Sequence, residues 1–167
     1  MLQAAGALAP AGVEVVLYSG LGDLPHFNPD LDGDTPPPSV ATFRARLQHA
    51  DGVLISSPEY AHGVPGVLKN ALDWVVASGE FMGKPVALLN ASPNSTHAQA
   101  SLAETLTVIM AEISADGSCA VQIPGNRTTQ ADMLANPAIA GPLRTAMAAF
   151  AAAIAAGGSQ EPEARSQ

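Results

Sequence analysis

Gly52-Val53-Leu54-Ile55-Ser56-Ser57-Pro58-Glu59-Tyr60-Ala61-His62-Gly63-Val64-Pro65-Gly66-Val67-Leu68-Lys69-Asn70-Ala71-Leu72-Asp73-Trp74 is the segment from which the architecture can be read. Its first five residues are apolar and short enough for a buried strand. A loop rich in Pro and Gly follows. Pro65 then opens a segment in which Leu68, Ala71, Leu72 and Val75 recur at helical spacing. Strand, tight loop and helix in that order form the repeating unit of a parallel α/β sheet. In such sheets ligands bind in the crevice at the carboxyl ends of the strands. A loop there offers free backbone N–H and C=O groups to a planar ligand with polar edges.

Working outward, Leu2–Leu8 reads as the end of a helix, stopped by Pro10-Ala11-Gly12, and Val13–Tyr18 reads as a strand. Ser19–Pro38 is a long loop crowded with Gly, Asp and Pro, the kind that carries function or an interaction surface. Ser39 is a candidate cap for a helix to His49 with Val40, Phe43 and Leu47 on one face. Gly79 and Gly83 bracket the connection to a buried-type strand, Pro85–Asn90. The loop Ala91–Thr96 leads into a long helix with Leu102, Leu106, Ile109, Met110 and Ile113 on one side. Ser118–Ile123 is the last expected strand, Pro124–Pro137 an irregular connection, and Ala138–Ala156 an alanine-rich helix. One α/β domain over residues 1–156 follows, with helices on both faces of a parallel sheet and 157–167 as a disordered tail.

Composition narrows the function classes. The chain has 167 residues, 47% of them hydrophobic and 13% charged, which suits one domain with a substantial core. A net charge of −8 argues against a nucleic-acid or anionic-membrane partner. No apolar run of the roughly 20 residues needed to span a bilayer is evident, and the N-terminus lacks the basic region of a secretory signal. The single cysteine, Cys119, excludes an internal disulfide, suits a reducing cytoplasm, and reads as a small buried hydrophobe. His26, His49 and His97 show no metal-ligand spacing, so no metal is expected.

The run Pro58-Glu59-Tyr60, then His62 through Trp74, resembles the signature of the NADPH-dependent FMN reductases, flavodoxin-like proteins that include quinone, chromate and azo-dye reductases. Looser similarity covers Ala9–Val15, Asp23-Leu24-Pro25, Phe27–Asp30 and Ala91-Ser92-Pro93. The resemblance implies a flavodoxin-like doubly wound sheet, FMN as cofactor, NADPH (or NADH) as hydride donor, a quinone-like small acceptor, and a homodimer or homotetramer. It places Pro58, Glu59, Tyr60, Ala61, His62 and Gly63 along the flavin ring. By the looser similarity, Ser92, Pro93 and Asn94 lie near the ring's pyrimidine edge. The flavin carries the hydride chemistry, so no side chain is named as catalytic.

Two departures stand out. Ala61 occupies the position where the family has Asn. The family's first strand, and the Ser/Arg/Asn-rich loop that cradles the FMN phosphate, have no counterpart in these residues. In the flavodoxin order 2-1-3-4-5 that strand lies between strands 2 and 3, so its absence leaves a gap of roughly 10 Å. Strand 2 must then detach, pair directly with strand 3, or receive a strand from elsewhere. Two or three lost charge-assisted hydrogen bonds would cost on the order of 3–9 kcal/mol of FMN binding. An internal start within a longer natural chain and a truncated paralogue both account for the pattern.

Each candidate residue has a plainer reading beside the functional one. Glu59 is either part of the flavin loop or a cap for the following helix, and Tyr60 either stacks at the site or packs. His62 is a proton donor to reduced quinone or an ordinary loop residue. Lys69 and Asp73, four apart, suit a surface ion pair. Trp74, expected to be half buried, is a dimer anchor or core. The Ala91–Thr96 loop meets the flavin, or Ser95 or Thr96 caps the next helix. At the level of function, a flavodoxin-like electron carrier and a non-enzymatic remnant unable to hold FMN are the alternatives to a reductase.

Overall fold

The computed structural model describes residues 1–158. Its centre is a parallel sheet built on β1 (Val53–Ile55) and β2 (Pro85–Asn90). β3 (Glu112–Ile113) and β4 (Cys119–Ala120) pair in turn along β2, at Pro85-Val86 and at Leu89-Asn90. Between them the chain bulges away through Ala115–Gly117. The Ser118 hydroxyl fills the break by accepting a hydrogen bond from the Leu88 amide at 2.9 Å. Val121 and Ile123 then donate to the Asn90 and Ala91 carbonyls, so the ladder runs almost to the expected end of the last strand.

Strand side chains alternate between faces, and two cores follow from that period. Ile55, Val86 and Leu88 face α2 (Pro38–His49), α3 (Gly66–Asp73) and α4 (His97–Val108). Leu54 and Leu89 face α1 (Leu2–Ala7), α5 (Gln130–Ala135) and α6 (Pro137–Gly158). The sheet is thus covered on both sides, as expected. Val40, Phe43 and Leu47 are buried on α2 as read from their spacing. Gly79 and Gly83 adopt φ of +79° and +67°, a region that favours glycine.

Several expectations are corrected. Val13–Tyr18 is not a strand; its backbone makes no ladder, and Val16 and Leu17 are exposed. Among the described residues the edge of β1 away from β2 carries no strand, and of the three outcomes considered the segment has detached. Val15 is retained by packing against α1, and Tyr18 by its ring, 5.2 Å from that of Phe43.

α2 starts at Pro38 with no side-chain cap, so Ser39 does not cap it. α4 ends at Val108 rather than reaching Ile113. Met110 turns left-handed (φ 62°), its amide bonds Thr107 O, and the Ala111 amide bonds Leu106 O. That paired closure ends a helix whatever apolar residues follow. The supposed irregular stretch after Pro124 contains α5, opened by a reciprocal box between Thr129 and Asp132. The Thr129 hydrogen bonds hold the Asp132 carboxyl below its usual range.

α6 runs two residues beyond its expected end, so Gly157 and Gly158 are helical; the rest of the expected tail lies outside the described residues. By length and composition Pro137–Gly157 is a run of 21 residues that could cross a membrane, against the sequence reading. Here its Ile139, Leu143, Met147 and Phe150 stripe is buried against the sheet and α5. Gly52 and Gly117 permit that approach. A Cβ on Gly52 would lie 2.7 Å from Ile154 Cδ1 and 2.8 Å from Phe150 Cζ.

Candidate functional site

Three loops leave the carboxyl ends of the strands: Ser56–Pro65 after β1, Ala91–Thr96 after β2, and 121–129 after β4. The first contains a two-residue hairpin turn. Tyr60 and Gly63 exchange backbone hydrogen bonds at 3.1 and 2.9 Å, with Ala61 (φ 49°) and His62 (φ 61°) between them, both left-handed. This turn favours Asn and Gly at its two centres; Ala has no such preference, and His has a weaker one. Among the described residues the amides of Ala61, His62 and Val64 make no hydrogen bond. Tyr60 projects from the turn, 67% exposed, which rules out its packing alternative.

Glu59 resolves in a way the sequence did not suggest. Its Oε2 accepts a hydrogen bond from the Ala98 amide at 2.8 Å, capping α4 rather than the helix that follows its own loop. Neither Ser95 nor Thr96 caps that helix. The His62 ring stacks on that of His97, the first residue of α4, with centroids 4.3 Å apart and planes 4° from parallel. The structure therefore brings the first loop onto the end of the second.

The second loop is shaped by Asn90, which the sequence reading did not single out. Buried at the end of β2, it accepts from the Ser92 amide at 3.0 Å and donates to Ser95 O at 3.2 Å. Among the described residues the hydroxyls of Ser92, Ser95 and Thr96 make no hydrogen bond, and Pro93 and Asn94 are exposed at the loop tip. The third loop carries Arg127 in an open groove of about 420 Å³ with Thr128, Asp132 and Asn136. No Lys or Arg lies on the first two loops.

The helix half of the signature has a structural role. Asn70 accepts from the Phe27 amide at 2.8 Å and donates to Pro25 O at 3.0 Å, and the Trp74 indole N–H donates to the same oxygen at 2.8 Å. Phe27 meets Trp74 edge-on at 5.1 Å. Arg44 adds hydrogen bonds to Asp32 Oδ1 and Trp74 O. The long loop 19–37 is thereby pinned to α3. Trp74 is wholly buried rather than half buried, so it cannot be the exposed anchor of a dimer. Lys69 and Asp73 form the expected pair. Cys119 is only half buried, and burial pushes its thiol up.

The shelf of free amides and hydroxyls suits the polar edge of a flavin ring; nothing comparable on these two loops suits its phosphate. A flavoenzyme NAD(P)H:(acceptor) oxidoreductase, FerB, from Paracoccus denitrificans has a similar structure, with a TM-score of 0.79 and 31% identity over 92% of this chain and 87% of that one. An NAD(P)H-dependent FMN reductase of Pseudomonas aeruginosa is 38% identical over 113 residues, 65% of this chain and 60% of the relative. A quinone reductase of Pseudomonas putida is 35% identical over 96 residues, 56% of this chain and 51% of the relative. The chain thus spans between half and three-fifths of the length of these curated relatives. The model of the NADPH-dependent FMN reductases matches residues 1–121, and with the doubly wound sheet beneath it this chain belongs to that family.

Proposed function

We propose that this chain is the flavin-bearing part of an FMN-dependent NAD(P)H oxidoreductase that passes hydride equivalents to a quinone-like acceptor. The reading rests above all on the unpaired amides of Ala61, His62 and Val64, held in a turned loop at the carboxyl end of β1. FMN, when bound, would supply the hydride chemistry between nicotinamide and acceptor. Pro58, Glu59, Tyr60, Ala61, His62 and Gly63 would hold the ring, and Ser92, Pro93 and Asn94 would approach its pyrimidine edge through hydroxyl and amide groups.

Each group has a definite task in this reading. The turn presents N–H groups with no protein partner, so a ligand acceptor has only water to displace from them. Asn90 sets the second loop from beneath, and Glu59 ties the first loop to α4. Tyr60, exposed above the turn, offers a planar face to an aromatic acceptor. Arg127 is the guanidinium of the rim loops and the group suited to a nucleotide phosphate. FMN added to the purified chain should be retained in equilibrium dialysis, and NADPH oxidation should then depend on both FMN and a benzoquinone. A stably folded chain that retains no FMN and leaves NADPH unoxidised would overturn the assignment.

A further inference from the structure

The His62–His97 stack joins the first loop, which the reading above assigns to the flavin ring, to the start of α4. We propose that these two imidazoles form an acid-released clasp that holds the turn of the first loop against α4. Two observations point to it independently. The rings are parallel at 4.3 Å, and they bridge segments 35 positions apart in sequence (97 − 62). The turn they hold has two non-glycine residues at positive φ, a conformation that persists only where surrounding contacts over-determine it.

The remaining fastenings of the turn are few: its own Tyr60–Gly63 bonds and the hydrogen bond from the Ala98 amide to Glu59. The other titratable groups close in sequence to the pair are Glu59 and Tyr60 on the same loop. Ala91–Thr96 has none, and α4 has none after His97 until Glu104.

Imidazoles change charge within the physiological pH range. Two neutral rings can stack, and one proton turns the stack into a cation over an aromatic face. A second proton would place two cations face to face at the positive end of the α4 backbone dipole. The Glu59 carboxylate can offset one positive charge, not two. The rings then separate, and the left-handed turn loses one of the few contacts that hold it. Release would disperse the unpaired amides of Ala61, His62 and Val64, so its effect on flavin rests on the function proposed above.

The test uses the full chain without flavin. Imidazole and amide resonances are followed by NMR from about pH 8 to about pH 5, the range in which histidine titrates. Expected are mutually dependent curves for His62 and His97, each altered when the other ring is removed. The Ala61, His62, Gly63 and Ala98 amides should move with the second step. In His97→Gln, and separately in His62→Gln, the remaining imidazole should titrate in one simple step and the second amide movement should vanish. Independent single-site curves with an unmoved Ala98 amide would overturn the clasp. A parallel FMN titration at both pH values separates the two proposals: wild type should lose affinity in acid and His97→Gln should lose less. Absence of FMN binding at either pH would count against the proposed function, while the imidazole curves alone decide the clasp.

Discussion

Replacing Glu59 by Ala removes the side-chain hydrogen bond that ties the first loop to the Ala98 amide in the first turn of α4. Ala98 is almost wholly buried, so its amide cannot turn to bulk water for a substitute acceptor. A hydrogen bond to a charged group contributes about 1.5–3 kcal/mol net, and an N-cap replacement typically costs ~1 kcal/mol. Glu59 is half buried, which places Glu59→Ala towards the lower end, about 1–2 kcal/mol. Glu59→Gln keeps the acceptor and loses the charge at the helix N-terminus, a cost of about 0.3–1 kcal/mol. For a domain of this size each kcal/mol lowers Tm by about 2–4 °C.

Urea titrations of the three proteins should therefore rank wild type above Glu59→Gln above Glu59→Ala. The loop effect should also appear in flavin affinity, where about 1.4 kcal/mol corresponds to tenfold in Kd. A Glu59→Ala midpoint equal to that of wild type, or a Gln variant no better than Ala, would refute the cap.

Other consequences concern the frame. Gly52→Ala drives a methyl into Ile154 and Phe150 and should cost about 1–3 kcal/mol in urea unfolding, with Gly52→Ala/Ile154→Ala less than additive. Asn70→Ala should expose loop 19–37 to limited proteolysis faster than Trp74→Phe. The Asn70 side chain makes two of the bonds that pin the loop, whereas the indole N–H makes one, a loss of about 1 kcal/mol. Burial raises the Cys119 thiol in the folded state, so the native chain holds that proton longer than the unfolded one. The associated stability is present below about pH 8.5 and lost as pH rises through the folded value. Alkylation of Cys119 should be slower than that of a free thiol throughout, and a Cys119→Ala variant should show a flatter alkaline stability profile.

Much of the architecture was legible because it depends on local periodicity. The apolar run Pro85–Asn90 could hardly be anything but a buried strand, and α2 and α3 carry their apolar stripes at helical spacing. Legibility failed where a partner outside the segment decides. Val13–Tyr18 has the composition of a strand, but hydrogen-bonded pairing needs a neighbour. α4 stops at a left-handed Met110 that no propensity announces, and α5 hides in a polar stretch betrayed only by Thr129 and Asp132.

The same division runs through the candidate site. Residues 52–74 by themselves specified a strand, a ligand-facing loop and a helix, since alternation, Pro65 and the Leu68–Val75 spacing are properties of neighbouring residues. Tertiary structure alone decided what Glu59, His62, Asn70, Trp74 and Asn90 do, because each acts on a partner it meets only once the sheet has formed. Glu59 and His62 reach α4, Asn70 and Trp74 share the carbonyl of Pro25, and Asn90 braces the loop beyond β2. Side-chain chemistry can be read residue by residue; which groups it meets depends on packing over the sheet as a unit.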